Sequence, residues 1–169
     1  RTAVTDAGVK HLAACKLLTV VRLDRTKVGD AGVELLKPLV GLEEIGLAGT
    51  AVTDAGLVHL KELTKLQRLK LGGTSITDAE LVHLKGMQLT ELTIPKDAKT
   101  DLGLKHYLAA LETHTALSLL GWRITDAGLV HLKGLVKLET LLLFSVTKIT
   151  DAGLVHLKGL TKLQTLQFS

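Results

Sequence analysis

The sequence predicts an α/β solenoid of about seven stacked units, and three observations predict it. The phrase Thr-Asp-Ala-Gly recurs, a second phrase of the form Leu-x-x-Leu-x-Leu precedes most of its copies, and the copies are nearly evenly spaced. With the aspartate as marker the series is Asp6, Asp30, Asp54, Asp78, Asp101, Asp126 and Asp151, at intervals of 24, 24, 24, 23, 25 and 25 residues. A fixed period of this size marks a repeat array, in which each unit buries its apolar face only against its neighbours.

Composition agrees with a folded chain built on aliphatic side chains. The 169 residues are 46% hydrophobic, enough for a core, but only 2% aromatic, so leucine must do most of the packing. The formal charge of +4 comes from 21 Lys and Arg against 17 Asp and Glu with no long basic run, which gives little support to a nucleic-acid or anionic-membrane partner. No apolar stretch has the length of a membrane span. Cys15 stands alone, which excludes an internal disulfide framework.

Each unit has two periods. In Leu42, Ile45, Leu47, in Leu66, Leu69, Leu71 and in the last copy, Leu163, Leu166, Phe168, the alternating step predicts a strand with every second side chain turned inward. Leu81, Leu84 and Met87 recur every three residues, as one face of a short helix does. Thr77, Asp78 and Glu80 suit a helix start, and the marker aspartates are expected to act as helix caps rather than as paired acid-base carboxylates. Strands stack roughly 4.8 Å apart while packed helices need about 8–10 Å, so the stack must curve.

These phrases resemble the leucine-rich repeat family, whose strand phrase is Leu-x-x-Leu-x-Leu-x-x-Asn, and among its classes the ribonuclease-inhibitor-like, F-box-associated one. The resemblance covers essentially the whole chain. It implies a curved right-handed horseshoe segment with a parallel sheet on the concave face and helices on the convex face. Where the family has Asn, this chain has Thr26, Thr50, Thr74 and Thr147, with Asp97 and Trp122 in two other units. A threonine hydroxyl can satisfy a neighbouring backbone group in the turn, with fewer hydrogen bonds than an amide.

Several features invite a chemical reading. His11, His59, His83, His106, His131 and His156 each follow their marker by five residues. Helices about 10 Å apart cannot bring such side chains to one zinc, whose bonds to nitrogen are about 2.0 Å. Lys61, Lys85, Lys133 and Lys158 extend this convex row, as a solvated face or an anion-binding surface. There is no phosphate-cradling glycine loop, nucleophile elbow or zinc-finger spacing, so no catalytic residue, cofactor or metal is expected. Pro95 is expected to end its strand early, the helix that follows is expected to be longer and to contain Tyr107, His114 replaces the usual strand-opening leucine, and Phe144-Ser145-Val146 contains one extra residue, read as a bulge.

Binding residues are expected where the repeat does not dictate identity, on the outward positions of the strands. These are Val20, Arg22 and Arg25, then Glu44 and Gly46, Arg68 and Lys70, Glu91 and Thr93, Ala116, Ser118 and Leu120, Thr140, Leu142 and Phe144, and Thr165 and Gln167. The first half is charged and the second apolar. The candidate contact set is Arg22, Arg25, Glu44, Arg68, Lys70, Glu91, Leu120, Trp122, Leu142 and Phe144. Within it, Glu44 with Arg68 and Arg68 with Glu91 form possible cross-strand ion pairs, and Trp122 and Phe144 have inward packing as the competing account.

The expected organisation is a single domain over residues 1–169, a slice of a longer array, since the chain opens at Arg1-Thr2 and closes at Phe168-Ser169, each just past a strand. Either the molecule is longer or the strand Leu163 to Phe168 pairs with another chain in self-association. The expected function is a non-catalytic protein-binding module. A structural spacer or self-assembling element, supported by the near-identical Ile124-to-Leu135 and Ile149-to-Leu160, is the alternative, and a substrate-recognition part of a larger ubiquitin-ligase-like protein a further one.

Overall fold

The Leu-x-Leu steps become short strands because their alternating side chains suit a surface with one buried face. The structure, a computed structural model, describes residues 2–112, 115–146 and 148–168. The strands are β1 (Val20–Arg22), β2 (Glu44–Gly46), β3 (Arg68–Lys70), β4 (Glu91–Thr93), β5 (Ala116–Ser118), β6 (Thr140–Leu143) and β7 (Thr165–Phe168). All pair in parallel. Register carries the phrase from unit to unit, placing Val21, Ile45, Leu69 and Leu92 side by side, and likewise Leu117, Leu141 and Leu166. Ile45, Leu69 and Leu141 are fully buried. Each such side chain contributes about 1.5–3 kcal/mol relative to exposure.

The return segments are α1 (Asp6–Val9), α2 (Asp30–Glu34), α3 (Asp54–Leu57), α4 (Asp101–Ala110), α5 (Asp126–Leu129) and α6 (Asp151–Leu154). Only α4 exceeds about one turn. α1, α3, α5 and α6 pass directly into 3-10 segments, and the fourth unit has the 3-10 segment Glu80–Leu84 alone. The three-residue recurrence of Leu81 and Leu84 is therefore the 3-10 period, three residues per turn, and it buries both leucines fully.

The marker aspartates are not helix caps. Capping falls to the preceding threonines: Thr53, Thr100, Thr125 and Thr150 each accept a hydrogen bond from an amide of their own first turn. The aspartates of the first six units instead reach the next unit. Asp30 accepts from Thr53 N–H at 2.8 Å and Oγ–H at 2.6 Å, Asp101 from Thr125 at 2.8 and 2.7 Å, and Asp126 from Thr150 at 2.8 and 2.6 Å. Asp54 binds Thr77 in the same way, Asp6 takes the amide of Gly29, and Asp78 takes the hydroxyl of Thr100. One threonine thus caps its helix and staples it to the previous unit.

The glycine of the phrase follows from the same contact. A Cβ on Gly56 would lie 2.6 Å from Asp30 Oδ1, and on Gly32, Gly128 and Gly153 it would sit closer still to Asp6, Asp101 and Asp126. The fourth unit carries Glu80 at this place. There the Asp54 to Thr77 hydroxyl bond is 3.0 Å, the longest of its kind, and the helix start expected at Thr77 forms no α-turn.

The expected continuous sheet is two sheets, β1-β2-β3-β4 and β5-β6-β7. β4 has the same length as β1 to β3, so Pro95 does not shorten it; what is lost is pairing with β5. The amide of Leu89 donates to Ala110 O and its carbonyl accepts from Glu112 N, both at 2.9 Å, so the end of α4 occupies the backbone that would open the next ladder step. Past β4, Pro95 has no amide to offer and begins the 3-10 segment Lys96–Ala98. The strand-opening place assigned to His114 lies outside the described residues.

The turns behave as expected where they are described. Thr26, Thr50 and Thr74 each donate Oγ–H to the carbonyl three residues earlier, at 2.7, 2.6 and 2.7 Å. Thr147 lies outside the described residues. Ser145 holds the left-handed turn place that Gly121 holds one unit before, at φ 59° and 69°. Lys148 then takes the bridge to Thr125 that matches Arg123 with Thr100. The extra residue of the sixth unit therefore falls between Ser145 and Lys148, in the loop past the turn, and Phe144-Ser145 is not a strand bulge.

Candidate functional site

Alternation puts one set of side chains from β1 to β4 on the face away from the core, and their chemistry is ionic. Glu44 is 3% exposed, with Oε1 accepting from Arg22 Nε at 2.6 Å and Oε2 from Arg68 Nε at 2.8 Å. Parallel register sets Arg68 beside Glu44 and Arg22 one diagonal step away, so both arginines reach the same carboxylate. The pairing of Glu44 with Arg68 was expected from the sequence. Its sharing with Arg22 was not, and the expected pair of Arg68 with Glu91 is absent: Glu91 instead lies 3.9 Å from Lys70 Nζ. The long lysine on the same strand reaches the outer carboxylate because the arginine is already held inward.

Hydrogen bonds from Arg22 and Arg68 hold the Glu44 carboxyl at about 2, below its ordinary 4.5, against the opposing effect of burial. The Arg22 guanidinium is raised by the same bond. A lowered carboxyl contributes stability that is complete above its unfolded value and is lost as the pH falls through its folded value. The contribution of Glu44 is therefore expected to disappear between pH 4.5 and about 2. Melting curves across that window should drop more steeply for the natural protein than for Glu44→Gln. Equal slopes would mean that the triad contributes nothing to acid sensitivity. Asp126 is lowered too, by the hydroxyl and then the amide of Thr150, and acts in the same direction below 3.8.

Two members of the expected contact set do not present themselves to a partner. Glu44 is covered by its arginines and serves to position them. Trp122 is 4% exposed and packs edge-on against Tyr107 of α4, with ring centroids 5.2 Å apart and planes at 73°. It fills the core of the fifth unit beside the one long helix, so it is withdrawn from the surface set. Arg25 is exposed but lies beyond β1, in the turn, with φ 59° at the place held by Gly49 and Gly73 in the next units.

The apolar half is shallower. Leu120, just past β5, is 58% exposed, Leu142 and Phe144 are half-buried, and Ala116 and Ser118 form a low exposed floor beside them. The amide of Leu119 donates to Leu142 O at 2.8 Å, which holds Leu120 next to the strand that carries Leu142. At the outer edge of β7, Leu166 and Phe168 are 42% and 46% exposed.

Two of the repeat histidines make local hydrogen-bond contacts. His106 Nδ1 lies 2.9 Å from Asp78 O and His83 Nε2 lies 3.0 Å from Glu80. His131 is lowered by burial and then by the nearby Lys105. Among the described residues no three His, Cys, Asp or Glu side chains converge as a metal site, and no helix is long and apolar enough to cross a membrane.

No protein-family model and no curated protein matches the chain. Among solved structures, an internalin from Listeria monocytogenes is similar over 95% of this chain, with TM-score 0.58 and 18% identity. Internalin C2 from the same organism is similar over 99%, with TM-score 0.57 and 22% identity. The chain spans about half of the first, 51%, and 77% of the second. Likeness at these identities establishes architecture alone. Repeat phrase, parallel strands and solved neighbours together identify the fold as an α/β leucine-rich repeat solenoid.

Proposed function

We propose that this protein is a non-catalytic module that binds a protein partner through the outward face formed by its two sheets. The observation that carries this reading is the division of that face into an ionic half around Arg22, Arg68 and Lys70 and an apolar half around Leu120, Leu142 and Phe144. Inward positions of β1 to β6 are uniformly aliphatic while these outward ones differ from unit to unit, as they should where the scaffold leaves them free. The non-catalytic part rests on the fate of the carboxylates: in Asp30, Asp54, Asp101 and Asp126 both oxygens accept hydrogen bonds from the next unit's threonine. Carboxylates so engaged are poor general bases.

The class assignment, ribonuclease-inhibitor-like and F-box-associated, rests on the Thr-Asp-Ala-Gly phrase and its period. We read residues 1–169 as one domain.

A pull-down with natural protein and Leu120→Asp tests the function. Leu120 is 58% exposed, so the variant is expected to keep its circular dichroism and melting point. Its affinity for a captured partner is expected to fall about tenfold or more, from a buried charge left without a counterpart. Undiminished capture would remove the apolar face from the binding surface. The alternative of a structural spacer is favoured by the near-identical sixth and seventh units, and it predicts concentration-dependent assembly with no partner retained.

A further inference from the structure

The arginines of the outward face are held in a way that a purely structural ion pair does not require. A carboxylate whose role ended with the sheet would be expected to take a bidentate fork from one arginine. Glu44 instead gives one oxygen to each of two, at 2.6 and 2.8 Å, and both bonds use Nε. Among the described residues neither terminal NH2 group of Arg22 or of Arg68 has a hydrogen-bond partner. Their side chains are 62% and 39% exposed against 4% for Glu44. Two guanidinium groups are thus fixed on either side of a buried anion, with their terminal groups unpaired, and the three side chains together carry one positive charge, with Asp24 near Arg22. Lys70, two residues from Arg68 on the same face of β3, is paired with Glu91 at 3.9 Å and adds no net charge.

We infer that this cluster is the receptor for an aspartate or glutamate side chain of an extended protein segment, whose apolar side chain occupies the Leu120, Leu142 and Phe144 patch. The inference rests on the concave-face binding proposed above and names the partner's chemistry. Charge complementarity selects a carboxylate, which takes two parallel hydrogen bonds from a guanidinium fork and brings the triad to neutrality. It also disfavours a polyanion such as a nucleic acid. Asp24, which accepts from Ala48 N at 2.9 Å, and the exposed Glu91 share the face and would repel a continuous run of phosphates. Arg68 on β3 and Leu142 on β6 are three strands apart, and because β4 and β5 are not paired the span exceeds the roughly 14 Å of three paired-strand steps, or about four residues or more of extended chain.

The test is selection of a displayed random peptide library on the intact chain, followed by titration of the most enriched peptide as synthesised and with its acidic residues replaced by amides. Enriched peptides are expected to carry an acidic residue about four or more positions from an apolar one, and the amide form to bind about tenfold or more weakly. The triple variant Arg22→Gln, Glu44→Gln, Arg68→Gln, which leaves no buried charge unpaired, is expected to show the same loss. The amide peptide reads the same interaction without any variant. A loss on the triple variant together with equal binding of the acidic and amide peptides would trace the effect to packing and overturn the inference. Peptides that bind the triple variant undiminished but fail on Leu120→Asp would overturn the inference and leave the binding face standing. No enrichment, or peptides indifferent to both variants, would overturn both.

Discussion

Replacing Gly128 with alanine is expected to destabilise the protein by about 2–4 kcal/mol, the combined effect of forced overlap in a packed site and of hydrogen bonds given up to relieve it. The new methyl group would meet Asp101 Oδ1 far inside contact distance and its Cγ at 3.1 Å. To move away, the carboxylate must release Thr125 N–H and Oγ–H, now at 2.8 and 2.7 Å. The decisive experiment is the same substitution in an Asp101→Ala background. Asp101→Ala alone should cost about 1–2 kcal/mol for the lost bonds, and in that background alanine at 128 should be within about 1 kcal/mol of neutral, because its helix propensity exceeds that of glycine. Ile124 Cβ, at 3.1 Å from the new methyl, needs only a small shift. Denaturant unfolding of the four proteins gives the coupling directly. Simple additivity would show that the glycine of the repeat phrase is not there to admit the preceding unit's aspartate.

Trp122→Ala should be the most damaging single truncation, at about 3–5 kcal/mol, as for other buried large aromatics. At roughly 2–4 °C per kcal/mol for a chain of this size, the melting temperature should fall by about 6–20 °C. The side chain is 4% exposed and loses an edge-on contact with Tyr107, whose hydroxyl is raised by burial and then by Glu91. Trp122→Phe keeps part of that packing and should leave partner affinity unchanged. A variant that melted normally but lost its partner would return Trp122 to the binding surface and contradict the packing described.

The seven units, the places of strand and return within each, and the inward set from Val21 to Leu166 were legible in the sequence. In an array each unit packs on its neighbours at one period, so the identity of a contact is written in the spacing of the residues that make it. The three-residue recurrence was legible too, although it marked 3-10 segments, because both helices present a face at nearly that interval. The candidate site was legible as outward strand positions, which is where Arg22, Arg68, Lys70, Glu91 and Leu142 stand.

Only the tertiary structure decided the rest, and in each case a side chain had two partners within reach. The marker aspartates sit where a cap would sit, but at Asp54, Asp101 and Asp126 the threonine one residue earlier already serves their own helix, which frees them for the next unit. Glu44 lies between two arginines, and only the diagonal offset of parallel register makes it shared. Trp122 and Arg25 lie past the ends of their strands, where alternation no longer sets direction; a left-handed turn aims one outward, and the space beside the long α4 draws the other in. The sheet divides at β4 because a longer helix brings its own backbone to Leu89 first. Period encodes which units meet, while the choice among nearby hydrogen-bond and packing partners depends on distances of an ångström or less that no spacing records.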